Sequence, residues 1–330
     1  MNAPAHGRIQ ASAFRPPRGL TGANRQTLLG GVPHLPRLHP LRERWELPDG
    51  DFLDLDWIRN EGKSWGLVLP GLTGGLDSPY ASRVLKRFAA AGWRAALLNY
   101  RGLSGRPNRL AIGYHAGFTR DLDLVARRFA ARYGPGAVIG YSMGGGIVLK
   151  WLGESGAAAP LTAAAAVSVP FRLAPTSDSL RNGEARGYGR YLLRGLRRHT
   201  RRKFAQVSPP FLLPPLGELE SIYDFDERIT APLHGFDGAN DYYERTSCLP
   251  WLRRIAVPTL IVNALDDPLI PRETLPAATD LSPSVTLELS AHGGHVGFLG
   301  HGRFGLPRFW LDDRLLDFLE SREPRTTHRV

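Results

Sequence analysis

The chain is short of cysteine and of lysine. Cys248 is the only cysteine among 330 residues, so no internal disulfide can form and a reducing cytoplasm is the expected location. The opening residues, Met1-Asn2-Ala3-Pro4-Ala5-His6-Gly7-Arg8, lack the apolar segment of a secretory leader, which points the same way. No run approaches the roughly 20 apolar residues that a membrane-spanning helix needs. Lysine occurs only at Lys63, Lys86, Lys150 and Lys203, so the net charge of +11, from 42 basic and 31 acidic residues, rests on arginine. Such an excess can serve nucleic acid or an anionic lipid surface. Zinc-finger spacing, a basic zipper and an aromatic-basic ribonucleoprotein motif are all missing, so nucleic acid is not expected as a partner. The arginine bias, with abundant Ala, Gly and Pro, reads instead as the composition of a GC-rich genome. Internal repeats are missing as well. Hydrophobic residues make up 42% and charged residues 22%. Those are ordinary globular values, in a chain long enough for one large α/β domain with an insertion or for two modest domains.

What is present is a rhythm of strands and helices. Residues 1–40, rich in Pro, Gly and Arg, read as an extended segment wrapped on the surface. Residues 42–47 and 52–57 alternate polar and apolar side chains around Pro48-Asp49-Gly50, a hairpin signal. Strands are then expected at 66–69, 94–99, 138–139, 163–169, 259–264 and 285–289, with helices over 79–91, 119–132 and 310–320. This alternation predicts a mostly parallel central sheet flanked by helices. The stretch 171–252 carries no clear strand and is expected to be a helical cap, inserted after the sixth strand between core segments 41–170 and 253–330. Within it, Arg181 to Lys203 holds nine basic residues and one acid, Glu184, interleaved with Tyr191, Leu192, Leu193, Leu196 and Phe204. Two readings stand: a lid helix in weak contact with an anionic membrane surface, or a solvated basic face on an ordinary cap helix.

The chemistry concentrates in three places. Ala137-Val138-Ile139-Gly140-Tyr141-Ser142-Met143-Gly144-Gly145 reads as a buried strand, a sharp turn bearing a serine, and a helix of small residues. This is the G-x-S-x-G nucleophile elbow of an α/β-hydrolase, with Ser142 as nucleophile. That fold places an acid and then a histidine further along the chain. Asp266-Asp267 follows the strand 259–264; Asp267 is favoured as the acid because Pro-Leu-Ile-Pro follows it, and Asp266 is the alternative. His292-Gly293-Gly294-His295 follows the last strand, with His295 as the base and His292 as its competitor. The H-x-x-H spacing has no third ligand at metal spacing, so no metal is expected. The loop Pro70-Gly71-Leu72-Thr73-Gly74-Gly75 is expected to supply an oxyanion hole from the backbone N–H of Leu72, together with that of Met143. Neither glycine cluster has the G-K-[ST] of a P-loop or a full G-x-G-x-x-G, so no nucleotide cofactor is expected.

These residues resemble the YheT-like branch of the α/β-hydrolases, related to abhydrolase-domain lipases and to yeast medium-chain ethyl-ester synthase/esterases. The likeness includes Asn24-Arg25-Gln26-Thr27, the loop from Leu69 to Gly75 with Ser78-Pro79-Tyr80, Asn99-Tyr100-Arg101-Gly102, Tyr114-His115-Ala116-Gly117-Phe118-Thr119, Asp241-Tyr242-Tyr243 and His292 to Phe298. The resemblance implies a serine carboxylesterase or lipase-like enzyme with the triad Ser142, Asp267 and His295, acting on a small-molecule or lipid-like ester. Some relatives transfer acyl groups to alcohols, a property linked to an H-x4-D motif; here His115 and Asp121 stand one residue too far apart, and it is not carried over. Acyl transfer to an alcohol and a non-catalytic lipid-binding role are the alternatives to hydrolysis.

Overall fold

The computed structural model describes residues 6–32, 38–59, 61–62, 64–302 and 307–323. Parts of the expected N-terminal segment (1–5 and 33–37) and core (60, 63, 303–306 and 324–330) lie outside the described residues. In chain order the first half runs β1 (Arg8–Ala11), α1 (Ala23–Gly30), β2 (Leu41–Glu46), β3 (Phe52–Arg59), β4 (Trp65–Leu69), α2 (Pro79–Ala90), β5 (Arg94–Asn99), α3 (Arg120–Tyr133), β6 (Gly136–Tyr141) and α4 (Met143–Ser155). The second half runs β7 (Leu161–Val167), α5 (Leu173–Arg181), α6 (Arg186–Phe204), α7 (Ile222–Phe225), α8 (Ala231–His234), α9 (Ala239–Thr246), β8 (Thr259–Ala264), β9 (Val285–Ser290) and α10 (Trp310–Glu320).

The nine strands form one sheet in the order β1-β9-β8-β7-β6-β4-β5-β3-β2. Within this sheet, among the described residues, the pairs β2–β3 and β3–β5 are antiparallel and the others parallel. The central strands read as unbroken apolar runs because both faces are covered. Successive side chains still part to opposite sides. Leu67 and Leu69 of β4, Ala96 and Leu98 of β5, and Val138 of β6 join α3 and α4 in one core, around Phe129 and Trp151. Val68, Ala95, Leu97, Ala137 and Ile139 join α2 and α10 in the other, around Phe88 and Leu315. Each leucine taken fully out of water contributes about 1.5–3 kcal/mol. The sheet is therefore packed on both faces, and loops leave its carboxyl ends from buried strands.

The N-terminal segment does not merely wrap the surface. β1 adds a parallel edge strand to β9, pairing Ile9 with Leu287, and Phe14 is buried against Phe298 and Trp310 at ring distances of 5.4 and 5.5 Å. The four side chains of β1 are mostly exposed, so the strand has no hydrophobic period to announce it; it forms through backbone pairing at a sheet edge. With β1 counted, the strand leading into the helical insertion is the seventh in chain order and the sixth of those expected. The insertion has its own small core of Leu180, Leu193, Leu196, Ile222, Phe225 and Ile229, closed by Leu269 and Ile270 from the loop after β8.

Candidate active site

The turn between β6 and α4 holds Ser142 at φ 52°, ψ −122°, a region that non-glycine residues rarely occupy. Such a conformation costs about 1–3 kcal/mol and persists only where its surroundings enforce it. The enforcement is visible on both sides. A Cβ on Gly140 would lie 2.3 Å from the carbonyl oxygen of Gly144, and a Cβ on Gly144 would lie 2.4 Å from that of Pro70. The Ser142 N–H is anchored to the Val167 carbonyl at 2.8 Å. Met143 opens α4, so its N–H precedes the helical hydrogen-bond ladder and points out of the helix N-terminus.

Three tyrosines shape the loop from Pro70 to Gly75. The Tyr80 hydroxyl accepts the Gly71 N–H at 2.9 Å, and the Tyr114 hydroxyl accepts the Thr73 N–H at 3.1 Å. Tyr100 donates to the Pro70 carbonyl at 2.8 Å and stacks on Tyr114 with ring centroids 4.8 Å apart. Between two committed N–H groups, that of Leu72 has no hydrogen-bond partner among the described residues.

The two candidate acids diverge. Asp267 turns inward: its Oδ2 stands 2.8 Å from His295 Nδ1, while its Oδ1 accepts the N–H groups of Leu269 at 2.9 Å and Ile270 at 3.3 Å. Its side chain is sealed from solvent. Asp266 turns towards the loop, accepting the Gly294 N–H at 2.9 Å and standing 3.5 Å from His292 Nδ1. Burial raises its carboxyl above the usual range. Ser142 and His295 line one cleft, together with Leu72 and Gly71.

The histidine loop is held from a distance. Thr27 Oγ1 accepts the His295 N–H at 2.9 Å, and Ser168 Oγ accepts the Val296 N–H at 3.0 Å. Gln26 brackets Leu299, accepting its N–H at 2.7 Å and donating to its carbonyl at 3.1 Å. Helix α1 packs so closely that a Cβ on Gly30 would meet the Gly297 Cα at 2.7 Å. Val296 and Phe298 adopt φ values of 60° and 46° under these restraints. Hydropathy pattern and spacing carry no signal for these roles; Gln26 and Thr27 stand out only through the family resemblance, and Ser168 not at all.

The arrangement invites comparison with known proteins. A family model described as alpha/beta hydrolase fold matches residues 67–302. The chain is an α/β-hydrolase. It belongs to the YheT-like branch: "Putative esterase YheT" of Escherichia coli (strain K12) is 39% identical over 323 residues, 94% of each chain. Phospholipase ABHD3 of Mus musculus is 32% identical over 291 residues, 83% of this chain and 70% of that protein. Among solved structures, the Pyrococcus furiosus esterase Pf2001 shares the fold, with a TM-score of 0.54 at 15% identity over 96% of this chain and 98% of that one.

In this α/β-hydrolase His115 and Asp121 make no hydrogen bond to each other among the described residues, and His115 lines a cavity that Ser142 also lines. Asp121 accepts two hydrogen bonds from the Arg101 guanidinium, at 2.8 and 2.7 Å, and the same guanidinium also reaches Asp49 and Asp51. His115 Nδ1 accepts the Gly117 N–H at 3.1 Å, and burial, with the neighbouring His234, pushes its pKa down to about 2. Among the described residues no group of three or more His, Cys, Asp or Glu side chains is placed to hold a metal ion, and no helix is long and apolar enough to cross a membrane.

Proposed function

We propose that this α/β-hydrolase is a serine carboxylesterase cleaving short- to medium-chain or lipid-like esters through Ser142, His295 and Asp267. The observation that carries the reading is the 2.8 Å contact of His295 Nδ1 with the sealed Asp267 carboxylate, in the cleft that Ser142 also lines. Asp267 orients the imidazole and stabilises it once protonated. His295 Nε2 takes the proton from Ser142 Oγ as that oxygen attacks the acyl carbonyl. The uncommitted N–H groups of Leu72 and Met143 receive the oxyanion, and their preset orientation lowers the barrier. His295 then protonates the departing alcohol, and water, deprotonated by the same histidine, releases the acid.

Residues 171–252 act in this reading as the cap. An apolar chamber runs from Ser142 beneath it between Leu180, Leu196, Phe225 and Ile229, and suits an acyl chain. The names of the relatives, an esterase and a phospholipase, agree with an ester substrate. The exposed arginines of α6, with Tyr191 and the exposed Leu28 and Leu29 of α1, support a weak contact with anionic membrane, and the lone buried Cys248 supports a reducing cytoplasm.

The test is labelling by a fluorescent fluorophosphonate, beside hydrolysis of p-nitrophenyl esters of graded chain length. Ser142→Ala is expected to abolish labelling and to lower kcat by about 10⁴ or more. Labelling and turnover that survive in the folded variant sink the reading.

A further inference from the structure

Ser142 sits where two cavities of opposite character meet. The chamber already described is apolar. The second is the open cleft lined by Thr73, Tyr188 and His295 and, from α6, by Arg198, His199 and Arg202. Helix α6 is the wall between them. Its Leu196 and Phe204 face the chamber, while Arg198 and Arg202 face the cleft; Leu192 and His199 line both. An ester bound at Ser142 with its acyl chain in the chamber has its alcohol in the cleft.

The charges of that cleft are unbalanced. Arg42 also lines it, but its guanidinium is taken up by Asp56 in two hydrogen bonds of 2.7 and 2.8 Å. Arg198 and Arg202 stand one helical turn apart and have no carboxylate partner among the described residues; like charges at that spacing repel. Among the described residues, Asp77 on the exposed rim is a lining carboxylate without an arginine. Between the two arginines in sequence is His199, whose ring nitrogens are both buried and both without a hydrogen-bond partner. Burial, reinforced by the charges of Arg198 and Arg202, pushes its pKa down to about 4. At neutral pH its imidazole is uncharged, with one donor and one acceptor. A buried polar group with no partner calls for an explanation, and here His199 lines both of the cavities that Ser142 lines.

We propose that this cleft is the alcohol-side subsite of the esterase and takes esters whose alcohol carries a phosphate or comparable anion, bound by Arg198 and Arg202, with His199 hydrogen-bonding polar atoms near the ester. The proposal rests on the serine esterase reading above. The acyl C–O bond breaks at Ser142, the alcohol oxygen takes its proton from His295, and the anionic alcohol leaves through the cleft while the acyl chain stays in the chamber.

The experiment compares two water-soluble substrates, 1-hexanoylglycerol and 1-hexanoylglycerol 3-phosphate, below their micellar concentrations. Wild type is expected to favour the phosphate ester in kcat/KM by about tenfold or more, as charge-assisted hydrogen bonds allow. In Arg198→Gln/Arg202→Gln that ratio falls towards one. In Arg194→Gln/Arg201→Gln, which removes the same charge from exposed α6 positions outside the cleft, the ratio stays at the wild-type value. A wild-type ratio near one, or an equal loss in the second pair, overturns the subsite. If the first pair matters only for esters presented on phosphatidylglycerol vesicles, the arginines are lipid-surface contacts, and the subsite is again overturned. Binding is read separately by titrating glycerol 3-phosphate, and glycerol as control, into Ser142→Ala. Selective binding that is lost with Arg198→Gln/Arg202→Gln supports the subsite, and no binding overturns it. Binding without fluorophosphonate labelling of wild-type Ser142 defeats the esterase reading alone.

Discussion

The turn that bears Ser142 and the loop that bears His295 present two chemical groups to one cleft, and they are built in opposite ways. The serine turn is mostly local. A strand, two glycines and a helix within ten residues set most of its geometry, a Cβ on Gly140 meeting the Gly144 carbonyl four residues away, and Pro70 and Val167 are its remote supports. The histidine loop is assembled from afar. Its backbone hangs on Thr27 of α1 and Ser168 beyond β7, and its side chain rests on Asp267 beyond β8. A turn made of its own sequence tolerates change elsewhere; a loop made of remote contacts does not.

Four substitutions sharpen or break that contrast. The largest effect is expected at the acid. Asp267→Asn should lower kcat by about 10⁴, because the amide presents the wrong partner to His295 Nδ1, while Asp266→Asn stays within about tenfold. Steady-state kinetics on both decides, and equal losses would mean that the two aspartates share the role. Next comes Gly144→Ala, which drives a methyl into the Pro70 carbonyl and should cost about 3 kcal/mol or more of stability, read by urea denaturation. An unshifted midpoint would show that the turn relaxes. Thr27→Val is milder: it deletes the acceptor for the His295 N–H, and kcat is expected to fall roughly tenfold with KM little changed, as the imidazole loses its alignment. Unaltered kcat would break the claim that α1 positions the base.

The smallest effect concerns pH. The folded-state pKa of His115 lies near 2, below the roughly 6.5 of an unfolded histidine. The unfolded chain therefore binds that proton first, and the stability it reflects is present above pH 6.5 and lost as pH falls. Asp226, raised to about 6 by burial, acts in the opposite sense, so the informative quantity is the difference between wild type and His115→Asn. Wild type should lose about 1.4 kcal/mol more per pH unit between pH 6 and 5, measured by denaturant midpoints; parallel slopes would refute it.

Legibility follows the same division. The parallel sheet, its helices and the serine turn are visible in the chain because each depends on near neighbours: β-branched and aliphatic runs, Gly at fixed offsets, and the Asp49-Gly50 hairpin. The edge strand β1 is invisible because its mostly exposed side chains carry no hydrophobic pattern; its backbone pairs with β9, and Arg8 and Gln10 add side-chain bonds to Thr286 and Glu288. Asp266 and Asp267 are chemically identical in sequence. The sequence favours Asp267 only through the Pro-Leu-Ile-Pro that follows it and the family resemblance, and the folded chain sets Asp267 against His295 and Asp266 against the Gly294 N–H. The arginines of α6 are plain in the sequence, whereas the division of that helix between an apolar chamber and a charged cleft depends on how the insertion docks.

The sequence by itself determined the α/β architecture, the strand-turn-helix motif that carries Ser142 and the order of the groups that follow it, because hydrophobic period and glycine spacing act over a few residues. The tertiary structure alone decided that Gln26 and Thr27 brace the histidine loop and that Ser142 lies between two unlike cavities. Those outcomes depend on hydrogen bonds between residues as far apart as Thr27 and His295, whose partners are chosen by the packing of the whole sheet.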